Sequence, residues 1–374
     1  MTKATPELLL CWLSSGGLDP LRLRLMLESC DDLFSLRDWI LGGNLKEESL
    51  PPAVLRTLEE NSGERKMAQW NAALAQYDIH VLTCLEDAYP AKLMPYEDRP
   101  PILFYRGDIH VADATSVAMV GSRSASWKGT AATEKIAEGL SVAGIEIISG
   151  LAYGIDAAAH RGCLKGGSPT VAVMGCGLDV DYPQEHGRMK NEILEKGGVL
   201  ISEYPPGEKP LGWHFPVRNR IISGLADCLI VMEARIRSGT MTTVHHALEQ
   251  GKDVYVYPGD PDSPKSEGNR QLLREGGLYF TSVSDILEDM QWVDKKREVR
   301  QNSGEISPWT DCSPEEKAVL SLLTGGELSF DQLCAGLNAQ AAELLPRLTM
   351  MQLRGLIEPM PGKFYRIKSN HTGG

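Results

Sequence analysis

Short apolar runs alternate with amphipathic segments between residues 113 and 290. Each run has four to six residues, is rich in valine and isoleucine, and is followed by glycine or a polar loop. The runs are Ser116–Val120, Ile145–Ser149, Thr170–Met174, Val199–Glu203, Cys228–Met232, Asp253–Tyr257 and Leu278–Thr281. The stretches Thr130–Val142, Ala157–Lys165 and Met241–Gln250 between them have helical periodicity. Apolar strands joined by helices are typical of a parallel sheet covered on both faces, so the pattern predicts a doubly wound, Rossmann-like α/β domain.

The pattern is different before this domain. Leucines at helical spacing and glycine turns over residues 5 to about 75 predict short helices. These form either a plain helical bundle or a helix–hairpin–helix, a module that grips the DNA backbone. The segment His80–Thr83 predicts a strand, and the proline-punctuated residues 89–107 predict an extended approach to the main domain.

The pattern changes again after the α/β domain. Residues 291–313 are polar and aperiodic, which is typical of a linker. Beyond them the sequence predicts a helix at Pro314–Leu323, a second helix capped by Ser329, a third at Ala339–Leu353 and a hairpin at 356–367, which together indicate a winged helix. The predicted domains are an N-terminal helical domain (1–75), a Rossmann-like domain with its lead-in (76–290), a linker (291–312) and a winged helix (313–368).

Composition excludes several classes of protein. The chain of 374 residues exceeds what one core usually serves, and no apolar run approaches the 18 residues of a membrane span. Its eight cysteines are scattered without a CxxC pair, so we expect no zinc site, no disulfide framework and a cytoplasmic protein. The net charge of −12 argues against a basic surface for nucleic acid. Any DNA binding must therefore come from a local patch, such as the four arginines between His214 and Thr240.

Polar, glycine-rich loops follow four of the predicted strands. They begin at Gly121, Ser149, Gly175 and Glu233. Ligands of open α/β sheets bind beyond the carboxyl ends of the strands, and backbone N–H groups of such loops and of following helix N-termini attract anions. The loops together predict an anion-binding rim. Taken singly, each loop is more often a structural tight turn or helix cap than a ligand site.

The segment His214–Gly224 carries the clearest chemistry. Arg218 and Arg220 flank Asn219 and follow Phe215. A guanidinium fits phosphate and an aromatic ring can stack a base, so the segment is predicted to hold a polyanion. Neither a metal-ligand spacing nor a nucleophile–base pair lies inside it, so no catalytic residue and no metal is predicted. The alternative is that these arginines pair with nearby carboxylates.

Several long motifs resemble those of the DNA processing protein A (DprA, also called Smf) family. They are Gly121-Ser-Arg123, Ser149-Gly-Leu-Ala-x-Gly-Ile-Asp156 with Ala159-His160, Phe215-Pro-x-Arg-Asn-Arg-Ile-Ile-Ser-Gly224, and Ser238-Gly-Thr240 followed by Ala247-Leu-Glu-Gln-Gly251. The resemblance covers nearly the whole chain and is strongest from about 80 to 290.

The resemblance implies a fold and a function. The expected fold is an extended Rossmann-like α/β domain with an N-terminal helical (SAM/helix–hairpin–helix-like) domain and a C-terminal winged helix. The expected function is binding of single-stranded DNA and loading of the RecA recombinase in natural transformation, by a homodimer without enzymatic activity or cofactor. The residues expected to bind DNA are Gly121, Ser122, Arg123, Ser149, Gly150, Phe215, Arg218, Asn219, Arg220, Ser238, Gly239 and Thr240.

Three alternatives stay open. A nucleotide-processing enzyme similar to the cytokinin-activating phosphoribohydrolases shares the Gly-Thr loop, but this chain has Thr242 and Thr243 where those enzymes carry glutamates. An NAD-dependent oxidoreductase needs glycine or alanine at Val180 to complete its fingerprint. Duplex DNA binding by the winged helix is disfavoured because its third helix begins with few donors for base edges.

Overall fold

The computed structural model describes residues 4–42, 50–292, 313–323, 327–337, 339, 341–360 and 363–367. The chain forms two compact units, Met1–Val299 and Arg300–Gly374. The linker predicted at 291–312 lies outside the described residues, apart from its first two positions. The four-part division of the chain stays a prediction. Among the described residues, no helix is both long and apolar enough to cross a membrane.

The larger unit is organised around one sheet, which has nine strands among its described residues. The strands are β1 (His80–Thr83), β2 (Ile102–Gly107), β3 (Ser116–Val120), β4 (Glu146–Ser149), β5 (Thr170–Met174), β6 (Val199–Ser202), β7 (Cys228–Val231), β8 (Asp253–Val256) and β9 (Leu278–Tyr279). Their order is β1-β2-β6-β5-β4-β3-β7-β8-β9, and every pair from β6 to β9 is parallel. The doubly wound α/β fold predicted from the apolar runs is confirmed.

The lead-in differs from the expected extended approach. Strand β2 pairs antiparallel with β6, and β1 pairs antiparallel with β2. The proline-punctuated segment therefore adds two strands to one edge of the sheet. Its side chains Ile102, Leu103 and Phe104 are fully buried because helices cover them.

Helices cover both faces of the sheet. They are α1 (Pro6–Ser15), α2 (Pro20–Ser29), α3 (Leu33–Leu41), α4 (Pro52–Asn61), α5 (Glu64–Tyr77), α6 (Trp127–Val142), α7 (Ile155–Gly166), α8 (Gly187–Glu195), α9 (His214–Leu225), α10 (Gly239–Glu249), α11 (Glu267–Arg274) and α12 (Val283–Asp289). Polar side chains fix several starts: the Ser126 hydroxyl accepts from the Gly129 N–H before α6, and Ser282 forms a capping box with Asp285 before α12.

The N-terminal helices share a hydrophobic core with the edge of the sheet. Side chains of α1 and α5 pack with Phe104 and Leu200. The Trp70 indole donates to the carbonyl oxygen of Pro206 at 3.1 Å, and the Ser14 hydroxyl donates to that of Glu203 at 2.9 Å. The predicted helical character of this region is confirmed, whereas its likeness to SAM or helix–hairpin–helix modules stays a prediction.

The strand order locates the place where a ligand is expected. From β3 the chain moves outward through β4, β5 and β6, and then returns to pair β7 with the other side of β3. The helices after β3 and β7 consequently lie on opposite sides of the sheet, which leaves a crevice beyond the carboxyl ends of these two strands.

The smaller unit has the elements of a winged helix. They are α13 (Pro314–Leu323), β10 (Leu328–Ser329), α14 (Phe330–Leu337), α15 (Ala341–Leu353), β11 (Ile357–Met360) and β12 (Phe364–Ile367). The strands form a sheet in the order β10-β12-β11, over a core that includes Leu320, Leu333 and Leu348. As predicted, Ser329 caps the second helix, where its hydroxyl accepts from the Gln332 N–H at 3.2 Å.

Candidate nucleic-acid interface

A cavity of about 640 Å³ opens beyond the carboxyl ends of β3 and β7. Its wall combines the loop after β3, the start of α9, and the loop after β7 with the start of α10. The lining residues are Val120, Gly121, Ser122, Arg123, Ser124, Ala152, Asp156, Tyr182, Pro210, Gly212, Phe215, Pro216, Arg218, Asn219, Ile222, Arg235, Ser238, Gly239, Thr240 and Thr243. The cavity therefore occupies the crevice that the strand order creates.

One side of the cavity, the Phe215 wall, combines a ring with two cations. The Arg123 guanidinium lies 4.9 Å from the centroid of Phe215, and that of Arg218 lies 6.0 Å from it. The ring of Tyr182 stands 5.3 Å from Phe215 between centroids. Arg123 is exposed and has no hydrogen bond or ion pair within the described part of the chain. Its charge is therefore available to an anion, and the Phe215 ring holds it in place.

Arg218 is 3% exposed and joins α9 to the loop after β4 and to strand β5. Its Nη1 atom donates to the carbonyl oxygen of Gly150 at 3.0 Å and to that of Val173. Asp156 lies nearby and accepts from the N–H groups of Gly150 at 3.2 Å and Ala152 at 3.3 Å. Burial lowers the pKa of Arg218 to about 10, and burial also raises the pKa of Asp156, opposed by the charge of Arg218. Arg218 thus braces the floor of the cavity while contributing charge to it.

Glu233, in the loop after β7, fixes the loop after β3. The Glu233 carboxylate accepts from the Ser126 N–H at 2.9 Å and from the Ser126 hydroxyl at 2.5 Å. Its carbonyl oxygen accepts from the Ser122 N–H at 2.7 Å. The loop that carries Arg123 is therefore tied at both ends to the neighbouring strand. Lys265, from the loop after β8, adds a hydrogen bond of 2.6 Å to the carbonyl oxygen of Ser124.

Two glycines let this loop approach its neighbours. A Cβ atom on Gly121 would lie 2.5 Å from Cγ1 of Ile155. Gly154 has φ +76°, and a Cβ atom there would overlap the Ser122 carbonyl oxygen. These positions explain part of the glycine content that marks the loops in the sequence.

The opposite side of the cavity, the α10 wall, consists of Arg235, Ser238, Gly239, Thr240 and Thr243. The Ser238 hydroxyl donates to the Arg235 carbonyl oxygen at 2.9 Å and does not cap the helix. Asn219 links the two walls, since its Nδ2 donates to the Gly239 carbonyl oxygen at 3.3 Å.

Nine of the twelve residues expected from the sequence to bind DNA line this cavity. They are Gly121, Ser122, Arg123, Phe215, Arg218, Asn219, Ser238, Gly239 and Thr240. Ser149 is buried below it, where its hydroxyl donates to the Met119 carbonyl oxygen at 2.6 Å. Gly150 is buried under Arg218. Arg220 lies off the cavity and its Nη2 donates to Glu203 at 2.7 Å, which is the carboxylate pairing named as the alternative for this motif.

Sequence reasoning missed Tyr182 and Arg235 as lining residues. Tyr182 belongs to a long loop after β5 whose return to the cavity has no local signal. Arg235 had a signal, because it lies in the arginine-rich stretch, but nothing in the sequence distinguishes it from Arg237. The structure does: Arg235 lines the cavity and Arg237 does not.

The conspicuous histidines lie elsewhere. His160 is fully buried, and its Nδ1 pairs with the Thr170 hydroxyl at 2.9 Å. Burial lowers the pKa of His160 to about 3, so the ring is neutral at physiological pH. His245 is exposed and lies 3.2 Å from Glu249. No cluster of three or more potential metal ligands occurs in the part of the chain that the structure describes.

The charges around the cavity are strongly biased. Among its described lining residues, Arg123, Arg218 and Arg235 face a single carboxylate, that of Asp156. The chain as a whole carries a net charge of −12. The cavity is thus a local positive site in an acidic protein, suited to an anion that also presents a flat, apolar surface to Phe215.

Comparisons with known proteins show the family to which the chain is similar. Residues 80–291 match the family model "DNA recombination-mediator protein A", and residues 307–363 match the "DprA winged helix domain". Protein Smf of Escherichia coli K12 is 34% identical over 299 residues, which are 79% of this chain and 79% of that protein. DNA processing protein DprA of Streptococcus pneumoniae is 43% identical over 208 residues, 56% of this chain and 73% of that protein.

Two solved structures share the fold. The X-ray structure of DprA from Streptococcus pneumoniae aligns with a TM-score of 0.64 and 35% identity, covering 77% of this chain and 98% of that one. A structure of DNA processing protein A from Helicobacter pylori, described for its single-stranded DNA binding mode, aligns with a TM-score of 0.53 and 26% identity, covering 58% and 97%.

Proposed function

This chain belongs to the DNA recombination-mediator protein A (DprA/Smf) family, and from that premise we propose that it binds single-stranded DNA in the cavity between β3 and β7. The observation that carries the proposal is the Phe215 wall. It offers an uncommitted guanidinium, that of Arg123, beside an aromatic face. A single strand presents phosphates and unstacked bases together, whereas a duplex hides its bases from such a ring.

Each group has a distinct task in this proposal. Arg123, Arg218 and Arg235 attract phosphates, and backbone N–H groups of the glycine-rich loops add neutral donors. Phe215 stacks one base, and Tyr182 extends the apolar surface beside it. Because phosphate contacts and stacking are both indifferent to base identity, binding is strong in low salt and weakly sequence-selective.

The compartment, oligomeric state, protein partner and pathway proposed next rest on the family resemblance. We propose that the protein acts in the cytoplasm as a homodimer, protects incoming single strands and loads RecA recombinase in natural transformation. Ser149 and Gly150 take part by supporting the binding loops from below, because they are buried and bonded to other residues. Arg220 takes part by anchoring α9 through its ion pair with Glu203.

We also propose that the cavity does not catalyse a reaction on nucleotides. The helix α10 carries Thr242 and Thr243 where the phosphoribohydrolase-like alternative requires glutamates. Asp156, whose pKa is raised by burial, is the one carboxylate among the described lining residues and therefore the remaining candidate for an acid or base. Incubation with nucleoside monophosphates, followed by chromatography, is expected to release no free base. Base release that Asp156→Asn abolishes would restore the enzyme alternative.

Fluorescence anisotropy tests DNA binding directly. Labelled oligo-dT and a duplex of equal length are titrated across a salt series with wild-type protein and with Arg123→Ala and Phe215→Leu. We expect salt-sensitive binding of the single strand. Phe215→Leu should weaken it about tenfold, since stacking contributes about 1–3 kcal/mol per base, and Arg123→Ala about as much, since it removes a phosphate contact. The exposed Arg237→Ala, which removes the same charge outside the cavity, serves as the control. Equal affinity for both DNA forms, or unchanged affinity in both cavity variants, would move the site elsewhere.

A further inference from the structure

The α10 wall contains two buried threonines whose hydroxyl groups have no partner among the described residues and open onto the cavity. Thr240 is 6% exposed and Thr243 is 2% exposed, and both line the cavity. Neither side chain has a hydrogen bond to any other described residue. A hydroxyl that faces the cavity without a protein partner is free to hydrogen-bond to a ligand oxygen there.

Further donors converge on the same place. The first helical N–H groups, those of Gly239 and Thr240, have no acceptor among the described residues, since the Ser238 hydroxyl turns away to the Arg235 carbonyl oxygen. The positive end of the α10 dipole adds to the attraction for an anion. Arg235, exposed and without an ion pair in the described chain, stands on the same wall.

The number of donors indicates which anion fits. A phosphodiester inside a strand has one negative charge and two free oxygens. A phosphate monoester has three free oxygens and a charge of about −1.5 to −2 at pH 7. Two amides, two hydroxyls and a guanidinium match the monoester better, because each additional oxygen and the extra charge find a donor.

We propose that the α10 wall is a subsite for a phosphate monoester, so that the cavity prefers a nucleotide with a terminal phosphate to one inside a strand. This inference rests on the proposed function, because it places the attached nucleoside against the Phe215 wall. The terminal phosphate belongs either to the end of a single strand or to a free nucleotide, and both present the same chemistry to the subsite.

Competition experiments separate these sources. Unlabelled oligo-dT with a 5′-phosphate, with a 3′-phosphate or with neither displaces an internally labelled oligo-dT at fixed ionic strength. Free thymidine monophosphate and thymidine are compared in the same way. We expect at least one phosphorylated probe to compete about tenfold more strongly than its unphosphorylated partner, and the probe that does so identifies the source.

Near-isosteric variants assign the preference to the wall. Thr240→Val and Thr243→Val are expected to abolish the advantage of the phosphorylated probe over its unphosphorylated partner, whatever their effect on the affinity for unmodified oligo-dT. Thr242→Val, on the same helix but outside the cavity lining, is expected to retain it. Circular dichroism checks that each variant is folded, and the wild-type comparison needs no variant at all.

The same experiments distinguish the absence of the phosphate subsite from the absence of DNA binding. If oligo-dT binds and phosphorylation changes nothing in any probe, or if the preference survives both valine variants, the subsite is refuted while DNA binding stands. If oligo-dT does not bind, calorimetric titration with thymidine monophosphate decides the subsite alone. Binding that both valine variants lose supports it, and absence of heat at millimolar nucleotide refutes it.

Discussion

The arginines of the α9 motif illustrate how neighbouring residues of one type take different tasks. Successive helical residues are about 100° apart, so Arg218 and Arg220 differ by about 200° around the helix. Arg218 faces the cavity, where its guanidinium lies near Asp156, and Arg220 faces Glu203 and Asp98 on the other side. A motif that appears as one basic cluster in the sequence is thus divided between the cavity lining and an internal ion pair.

Alanine variants of Arg235 and Arg237 test whether position in the cavity or net charge governs affinity, because each variant removes one positive charge. Arg235→Ala is expected to weaken binding of oligo-dT about fivefold and to lower the slope of log affinity against log salt by about 0.7, the value for one phosphate contact on a single strand. Arg237→Ala should leave both quantities near wild type, because Arg237 does not line the cavity. The two variants are measured side by side by anisotropy. Equal losses in both would mean that general charge, and not the cavity, governs affinity.

Glu146 makes the stability of the folded protein depend on pH, independently of DNA. It begins β4, is 8% exposed, and its Oε2 atom has no partner among the described residues. Burial raises the pKa of Glu146 to about 8. The folded state therefore holds a proton that the unfolded state releases near pH 4.5, so stability is full below that pH and falls as pH rises towards 8.

Glu146→Gln should remove this loss. The amide cannot ionise, so the variant is expected to melt about 2–4 °C above wild type at pH 8.5, for a gain of about 1 kcal/mol, and to match it near pH 5. Thermal unfolding across this pH range measures the effect. Glu138→Gln, an exposed change on α6, is the control and should follow the wild-type curve. A wild-type melting temperature that does not decline between pH 5 and 8.5 would contradict the burial argument.

At the scale of elements, the binding loops are held by each other. The loop after β3 is bonded to Glu233 through Ser122 and Ser126, and the loop after β4 approaches it closely at Gly154. The Ile155 N–H donates to the Ser122 carbonyl oxygen at 3.2 Å. The loops are therefore prepared for a ligand before it arrives, which reduces the entropy lost on binding.

Gly154→Ala should disturb this arrangement. Its φ of +76° and ψ of −116° are disfavoured for alanine, and the new Cβ would overlap the Ser122 carbonyl oxygen. We expect the free energy of unfolding to fall by about 2 kcal/mol or more and the affinity for oligo-dT to fall with it. Urea unfolding and anisotropy measure the two effects. Gly187→Ala, where a Cβ meets nothing within 4 Å, should change stability by less than about 0.5 kcal/mol. An unaffected Gly154 variant would show that the loop can relax.

The sequence predicts elements better than it predicts their pairing. Ser116–Val120 and Thr170–Met174 are predicted to the residue, because strands buried on both faces need an unbroken apolar run. The antiparallel addition of β2 to β6 was not predicted, because it depends on contacts across about 95 residues that leave no local pattern. For the same reason Tyr182 was not placed beside Phe215, and the burial of Ser149 and Gly150 was not foreseen.

At the scale of the whole molecule, the proposed site is a basic cavity in an acidic chain. The net charge of −12 opposes the approach of nucleic acid at long range, whereas the three arginines of the cavity would attract it there. Contacts outside the cavity are thereby discouraged, which favours a strand that can enter it over a duplex that lies across the surface.

The smaller unit should be dispensable for the cavity. All lining residues lie between Val120 and Thr243, inside the unit Met1–Val299. A chain that ends at Val299 is therefore expected to bind oligo-dT within about twofold of the full chain. Anisotropy in matched salt checks this, with circular dichroism as the control for folding. A loss of tenfold or more would assign part of the single-strand site to residues 300–374.

The pairing of β3 with β7 has a consequence for synthesis of the protein. Strand β3 pairs with β4 on one side, but its partner on the other side, β7, follows only after β4, β5 and β6 in the chain. A nascent chain that has exposed Arg123 still lacks Glu233, which fixes its loop, and the α10 wall that faces it. The cavity can therefore be completed only after α10 has been synthesised. Under the proposed function, a nascent chain that ends before α10 lacks one wall of the binding site.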